Sequence, residues 1–106
     1  MKTPTTKQFL KFHPKNPKVY ELFKKFTFEA IAAGHKNLSA YLIVNRIRWE
    51  TNVVTTDKNF KIDNNLIPYY ARVFANEYPE HKGFFRTKPL SPEAEEACQV
   101  FNLELI

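Results

Sequence analysis

Seven side chains have types and spacings suited to holding a polyanion: Arg46, Arg48, Tyr69, Arg72, Asn76, Arg86 and Lys88. Tyr69, Arg72 and Asn76 recur at i, i+3 and i+7, opposite an apolar series of Ile67, Tyr70, Phe74 and Tyr78. On a helix that spacing gathers the three on one outward face. Arginine can grip guanine with two hydrogen bonds, asparagine can do the same with adenine, and a tyrosine hydroxyl can donate to phosphate, so the face suits a DNA groove. An ordinary solvated helix face has the same composition. The string Arg46-Ile47-Arg48-Trp49-Glu50 also has two readings. In the structural one, Arg46 and Glu50 pair at i and i+4, Ile47 turns inward, and Trp49 anchors the helix border. In the functional one, Arg46 and Arg48 contact phosphates beside a stacking Trp49. Phe84-Phe85-Arg86-Thr87-Lys88 alternates so that a strand would turn Arg86 and Lys88 outward, either as a wing or as a charged edge.

Catalytic chemistry finds little support. His13, His35 and His81 have no partner at the i+3 or i+4 spacing of helical zinc pairs, and each is expected at the surface. Cys98 falls on an apolar helical stripe with Ala94, Ala97 and Phe101 and no neighbouring base, which suits a buried thiol. Glycine-rich phosphate loops and nucleophile elbows are missing from a chain with only two glycines. The expectation is a binding protein with no catalytic residues, metal or cofactor.

These side chains need a scaffold, and 106 residues with 43% hydrophobic and 15% aromatic content supply one domain with a packed core. Charge is unevenly distributed. Residues 1–88 hold all sixteen Lys and Arg against seven acids, a balance of +9, whereas residues 89–106 hold four acids and no base. Such a basic body favours an anionic partner, nucleic acid first, while the acidic end is a candidate to fold over that body as an internal mimic of nucleic acid. The single cysteine suits a reducing compartment, and no run of apolar residues is long enough for a membrane span. A cytoplasmic protein with no membrane partner is expected.

Along the chain, residues 1–15 read as a basic, partly ordered arm carrying Lys2, Lys7, Lys11 and Lys15. Asn16-Pro17 opens a helix that runs to a stop at Gly34. Ser39 caps a second helix reaching Trp49 or Glu50, and Asp63-Asn64-Asn65 precedes a third that ends before Pro79. Between the last two, Val53-Val54-Thr55-Thr56 and Phe60-Lys61-Ile62 favour short strands around an Asp57-Lys58-Asn59 turn. Phe84–Thr87 is a further short strand, and Ser91-Pro92-Glu93 begins an acidic helix or tail. The sequence thus predicts a mainly α protein with a small β component, an α+β fold of three to four helices plus short strands. Its order is winged-helix-like: an arm at 1–15, a domain at 16–90 whose third helix reads DNA, and an acidic end at 91–106.

Asn16-Pro17-Lys18-Val19-Tyr20, Arg46-Ile47-Arg48-Trp49-Glu50, Tyr69-Tyr70-Ala71-Arg72 and Gly83-Phe84-Phe85 together resemble a family of small proteins encoded by bacteriophages and prophages. The resemblance covers roughly residues 12–88 and implies a setting, a phage or its bacterial host, with no site residue attached. Two functions follow. One is a phage regulator binding double-stranded DNA through the seven residues and the lysine-rich arm. The other is an interaction module that binds and modulates a host or phage protein through an aromatic surface or the acidic end.

Overall fold

The computed structural model describes residues 3–55 and 61–105. They form five α-helices: α1 (Pro4–Lys15), α2 (Pro17–Ala32), α3 (Ala40–Trp49), α4 (Ile67–Glu77) and α5 (Pro92–Glu104). A π-helical turn at Glu50–Val54 prolongs α3, and 3₁₀ turns occupy Asn64–Leu66 and Pro79–His81. No strand occurs among the described residues, so the α+β and winged-helix expectation is overturned.

Two of the missing strands have a local cause. Val53 and Val54 favour extended backbone, but the chain leaving α3 keeps winding. Thr51 donates its hydroxyl to the Ile47 carbonyl at 2.8 Å, and the Thr55 amide donates to the Glu50 carbonyl at 3.1 Å. The backbone bond continues the winding where β-branched side chains alone favour extended chain. Lys61 and Ile62 form no strand, and Thr56 to Phe60, which include the expected turn, lie outside the described residues. Phe84 and Phe85 are both buried, which a strand with alternating faces cannot achieve. A turn closed by the Phe84 amide on the His81 carbonyl aims both rings at the core.

The expected arm is a core helix. Pro4 begins α1, and the Thr3 hydroxyl caps it by accepting from the Thr6 amide at 3.3 Å. Thr6, Phe9 and His13 follow at helical spacing, and all three are buried. Asn16 therefore serves the helix before it as well as the one after. Its side-chain amide donates to the Phe12 carbonyl at 2.9 Å and makes no side-chain cap on α2. The stop after α2 is as expected, with Gly34 at φ 98°, a conformation that costs residues with a Cβ.

Helix α4 forms the centre of the molecule. Ile67, Tyr70, Val73 and Phe74 are almost wholly buried. Around Tyr70 stand the rings of Phe9, Tyr20, Phe23 and Phe101, from α1, α2 and α5. Phe74 continues the cluster to Phe28, Tyr78 and Phe85. The acidic end folds as α5 and lies along α4, burying Ala94, Ala97, Cys98 and Phe101 as their spacing foretold. Ser91 caps it from the Ala94 amide, and Glu93 and Glu95 occupy the first turn, where the helix dipole favours negative charge.

Candidate functional site

Packing of α1 and α5 on α4 engages the three residues of the expected DNA-reading face in contacts within the chain. The Tyr69 hydroxyl is buried in a 2.8 Å hydrogen bond with the Thr6 hydroxyl, and the Tyr69 carbonyl accepts from the Cys98 thiol. Arg72 lies with Nε 3.2 Å from Glu95 Oε1, although that Nε makes no well-angled hydrogen bond. Asn76 Nδ2 donates to Asn102 Oδ1 at 3.0 Å, and Asn102 donates to the Val73 carbonyl. Tyr69, Arg72 and Asn76 thus join helices to one another. Tyr69 belongs to the α1 interface and was misassigned because the spacing was judged without α1 in place.

Arg46 and Arg48 part company. Arg46 keeps its foreseen ion pair with Glu50, at 2.7 Å, and stacks over Phe26 with 4.5 Å to the ring centroid. Arg48 clamps the return from α3 to α4, donating to the Ile62 carbonyl at 2.6 Å and to the side-chain oxygens of Asn45 and Asn64. Trp49 does not anchor the helix; it is 60% exposed. His13, expected at the surface, is buried between Phe9 and Phe101, with ring centroids 5.1 and 4.4 Å away. Burial pushes its pKa down, and Glu104, 3.8 Å off, opposes that in part.

Only Arg86 and Lys88 of the seven come together at an open site. They border a groove of about 1170 Å³ between the start of α3, the start of α4 and the Gly83–Leu90 segment. Leu38, Ile67, Ala71, Phe85 and Leu90 give it an apolar lining, and Ser39 and Tyr41 stand at the α3 end. Arg86 and Lys88 are exposed and have no ion pair among the described residues, and no acidic side chain lines the groove.

The local sequence explains the groove. Residues 86–91 belong to no helix or strand, Pro89 disfavouring helix at Lys88, and they pass the ends of α3 and α4 where they border the groove. The Leu38 amide donates to the Phe84 carbonyl at 3.2 Å, tying the two walls at one end. Beyond that tie, residues 85–90 make no backbone-to-backbone hydrogen bond among the described residues. Pro89 has no amide to donate, and the Lys88 carbonyl accepts from Arg72 Nη2 at 3.4 Å. An apolar trough with two free cations beside it suits a peptide that carries apolar and acidic side chains. Sequence reasoning found the cations but missed the trough, whose three walls come from stretches about 12 to 53 residues apart in the chain.

Other chemistry is sparse. No group of three or more His, Cys, Asp or Glu side chains is placed to hold a metal ion among the described residues. Burial pushes the Cys98 thiol up to about 12, with Glu95 adding to the effect, so it is a poor nucleophile at neutral pH. No helix of the described residues is long and apolar enough to cross a membrane. Comparison with known proteins finds no match for this chain among protein-family models, curated proteins or solved structures.

Proposed function

We propose that this chain is a protein-interaction module that holds an extended, acidic segment of another protein in the groove between α3, α4 and Gly83–Leu90. The supporting observation is the groove's lining, apolar at its base with Arg86 and Lys88 beside it and no acid. Apolar side chains of the segment would fill the trough, and its carboxylates would meet the two cations. In the phage setting suggested by the sequence, the partner is a host or phage protein of the bacterial cytoplasm.

Panning a random decapeptide display library against the whole chain tests the reading. Peptides joining Asp or Glu to large apolar residues should be enriched. They should bind at least about tenfold more weakly to an R86E/K88E variant, because like charges would then face each other. Failure to enrich such peptides, or equal binding to both proteins, defeats the proposal.

A second reading rests on a different surface. Lys7, Lys11 and Lys15 are exposed along α1 at steps of four residues, about 6 Å apart along the axis, and exposed Lys18 follows them. None has an ion pair among the described residues. This line supports sequence-independent contact with the phosphates of double-stranded DNA. It predicts binding that weakens steeply between about 50 and 200 mM salt and is lost when the three α1 lysines become glutamine. DNA affinity unchanged in that variant counts against it.

A further inference from the structure

The outer face of α3 is a second surface, which meets the groove at Tyr41 and whose pairing does not depend on the groove's proposed role. Tyr41, Leu42, Trp49, Val53 and Val54 are each at least half exposed, and they are five of the eight exposed large apolar side chains among the described residues. Leu42, Trp49 and Val53 fall at i, i+7 and i+11, so they form one line along α3 and its π-helical extension. Arg46 and Glu50 flank the line on one side, and Asn45 and Asn52 flank it on the other. A concentrated apolar line of this kind marks an interface more often than a solvated surface.

We infer that this face pairs with the same face of a second copy, with the two α3 helices antiparallel about a two-fold axis near residues 47–48. The order of side chains along the helix supports that occupant because it is complementary to its own reversed copy. Reversal about this axis sets Leu42 against Val53 of the other copy, and the two Trp49 rings meet beside the axis. Antiparallel pairing also brings matching flanks together, so Arg46 of each copy faces Glu50 of the other. The Arg46–Glu50 pair, 2.7 Å apart within one helix, thereby exchanges into two pairs between copies. Local charge is balanced across this face despite the +5 of the whole chain, since Arg48 is turned away to the Ile62 carbonyl.

The interface is small. A stripe of three to four turns covers less than the roughly 800 Å² per partner of a standard stable interface, so the dimer is weak and reversible. Tyr41 borders the stripe and also lines the groove, so pairing places two grooves in one assembly.

Sedimentation velocity of the full chain from about 1 μM to about 1 mM tests the pairing. The mass should rise from one copy towards two, and Trp49 fluorescence should shift to shorter wavelength over the same range. Trp49→Ala, checked for retained helicity by circular dichroism, should stay monomeric. Arg46→Glu and Glu50→Arg should each weaken the dimer at least about tenfold, whereas an equimolar mixture of the two variants should form a heterodimer of near wild-type affinity. A chain that is monomeric throughout, or a dimer indifferent to Trp49→Ala, overturns the inference. A dimer whose charge variants fail to recover on mixing overturns the antiparallel arrangement.

Discussion

Changing Tyr69 and Tyr70 to phenylalanine one at a time should move stability in opposite directions. Both rings are buried on α4, so each substitution removes one oxygen and leaves the ring packing in place. The Tyr69 hydroxyl shares a buried 2.8 Å hydrogen bond with Thr6, and Thr6 keeps a second partner in the Thr3 hydroxyl at 3.1 Å. Tyr69→Phe therefore loses one net hydrogen bond and strands no other group, a cost of about 1 kcal/mol. The Tyr70 hydroxyl is buried without a hydrogen-bond partner among the described residues, and burial pushes its pKa far up. An unmet buried hydroxyl costs about 1–3 kcal/mol, so Tyr70→Phe should be neutral or stabilising by up to about 1 kcal/mol. The two variants should differ by about 1–2 kcal/mol, or roughly 4–10 °C in Tm for a domain of this size. Urea unfolding followed by circular dichroism, with m held constant, measures the difference directly. A Tyr70→Phe variant destabilised by more than about 1 kcal/mol would show that its hydroxyl has a partner and would refute the packing of α4 described here.

Phe9→Ala should cost about 3–5 kcal/mol because Phe9 fills the space between α1, α4 and α5, whereas a residue on a loose arm would cost nothing measurable; equilibrium unfolding decides. His13 contributes a pH dependence of definite sign. Its folded-state pKa lies below the ordinary 6.5, so the unfolded chain takes up a proton first as pH falls. Stability is full above about 6.5 and declines down to the lower folded value, and His13→Gln should flatten the slope in that window when Tm is followed against pH. Cys98 should resist a thiol reagent at pH 8 in the native protein and react at once in denaturant; rapid native labelling would contradict its burial.

Much of the helical order was legible from local signals. Asn16-Pro17, Gly34, Ser39, Asp63 and Ser91 mark real helix ends, and the spacing of Ala94, Ala97, Cys98 and Phe101 gave the buried face of α5. Helix α1 was missed because its inward stripe is completed by polar residues. Thr6 and His13 look like surface residues until Tyr69, Phe9 and Phe101 surround them. Two of the expected strands failed for a related reason. Strand preference at Val53-Val54 and Phe84-Phe85 is a weak local tendency, and it yielded to continued helical bonding in one case and to the burial of two adjacent rings in the other.

By itself the sequence determined the quantities that depend on composition and near neighbours: one aromatic core, a basic body with an acidic end, most helix boundaries, the Arg46–Glu50 pair and the inert position of Cys98. Tertiary structure alone decided which helix faces meet water. Packing α1 and α5 against α4 buried Tyr69 beside Thr6 and paired Arg72 and Asn76 with Glu95 and Asn102, while leaving Arg86, Lys88 and the α3 stripe uncovered. The physical reason is that helical spacing fixes which side chains share a face, and only the neighbouring helices fix whether that face is buried or open.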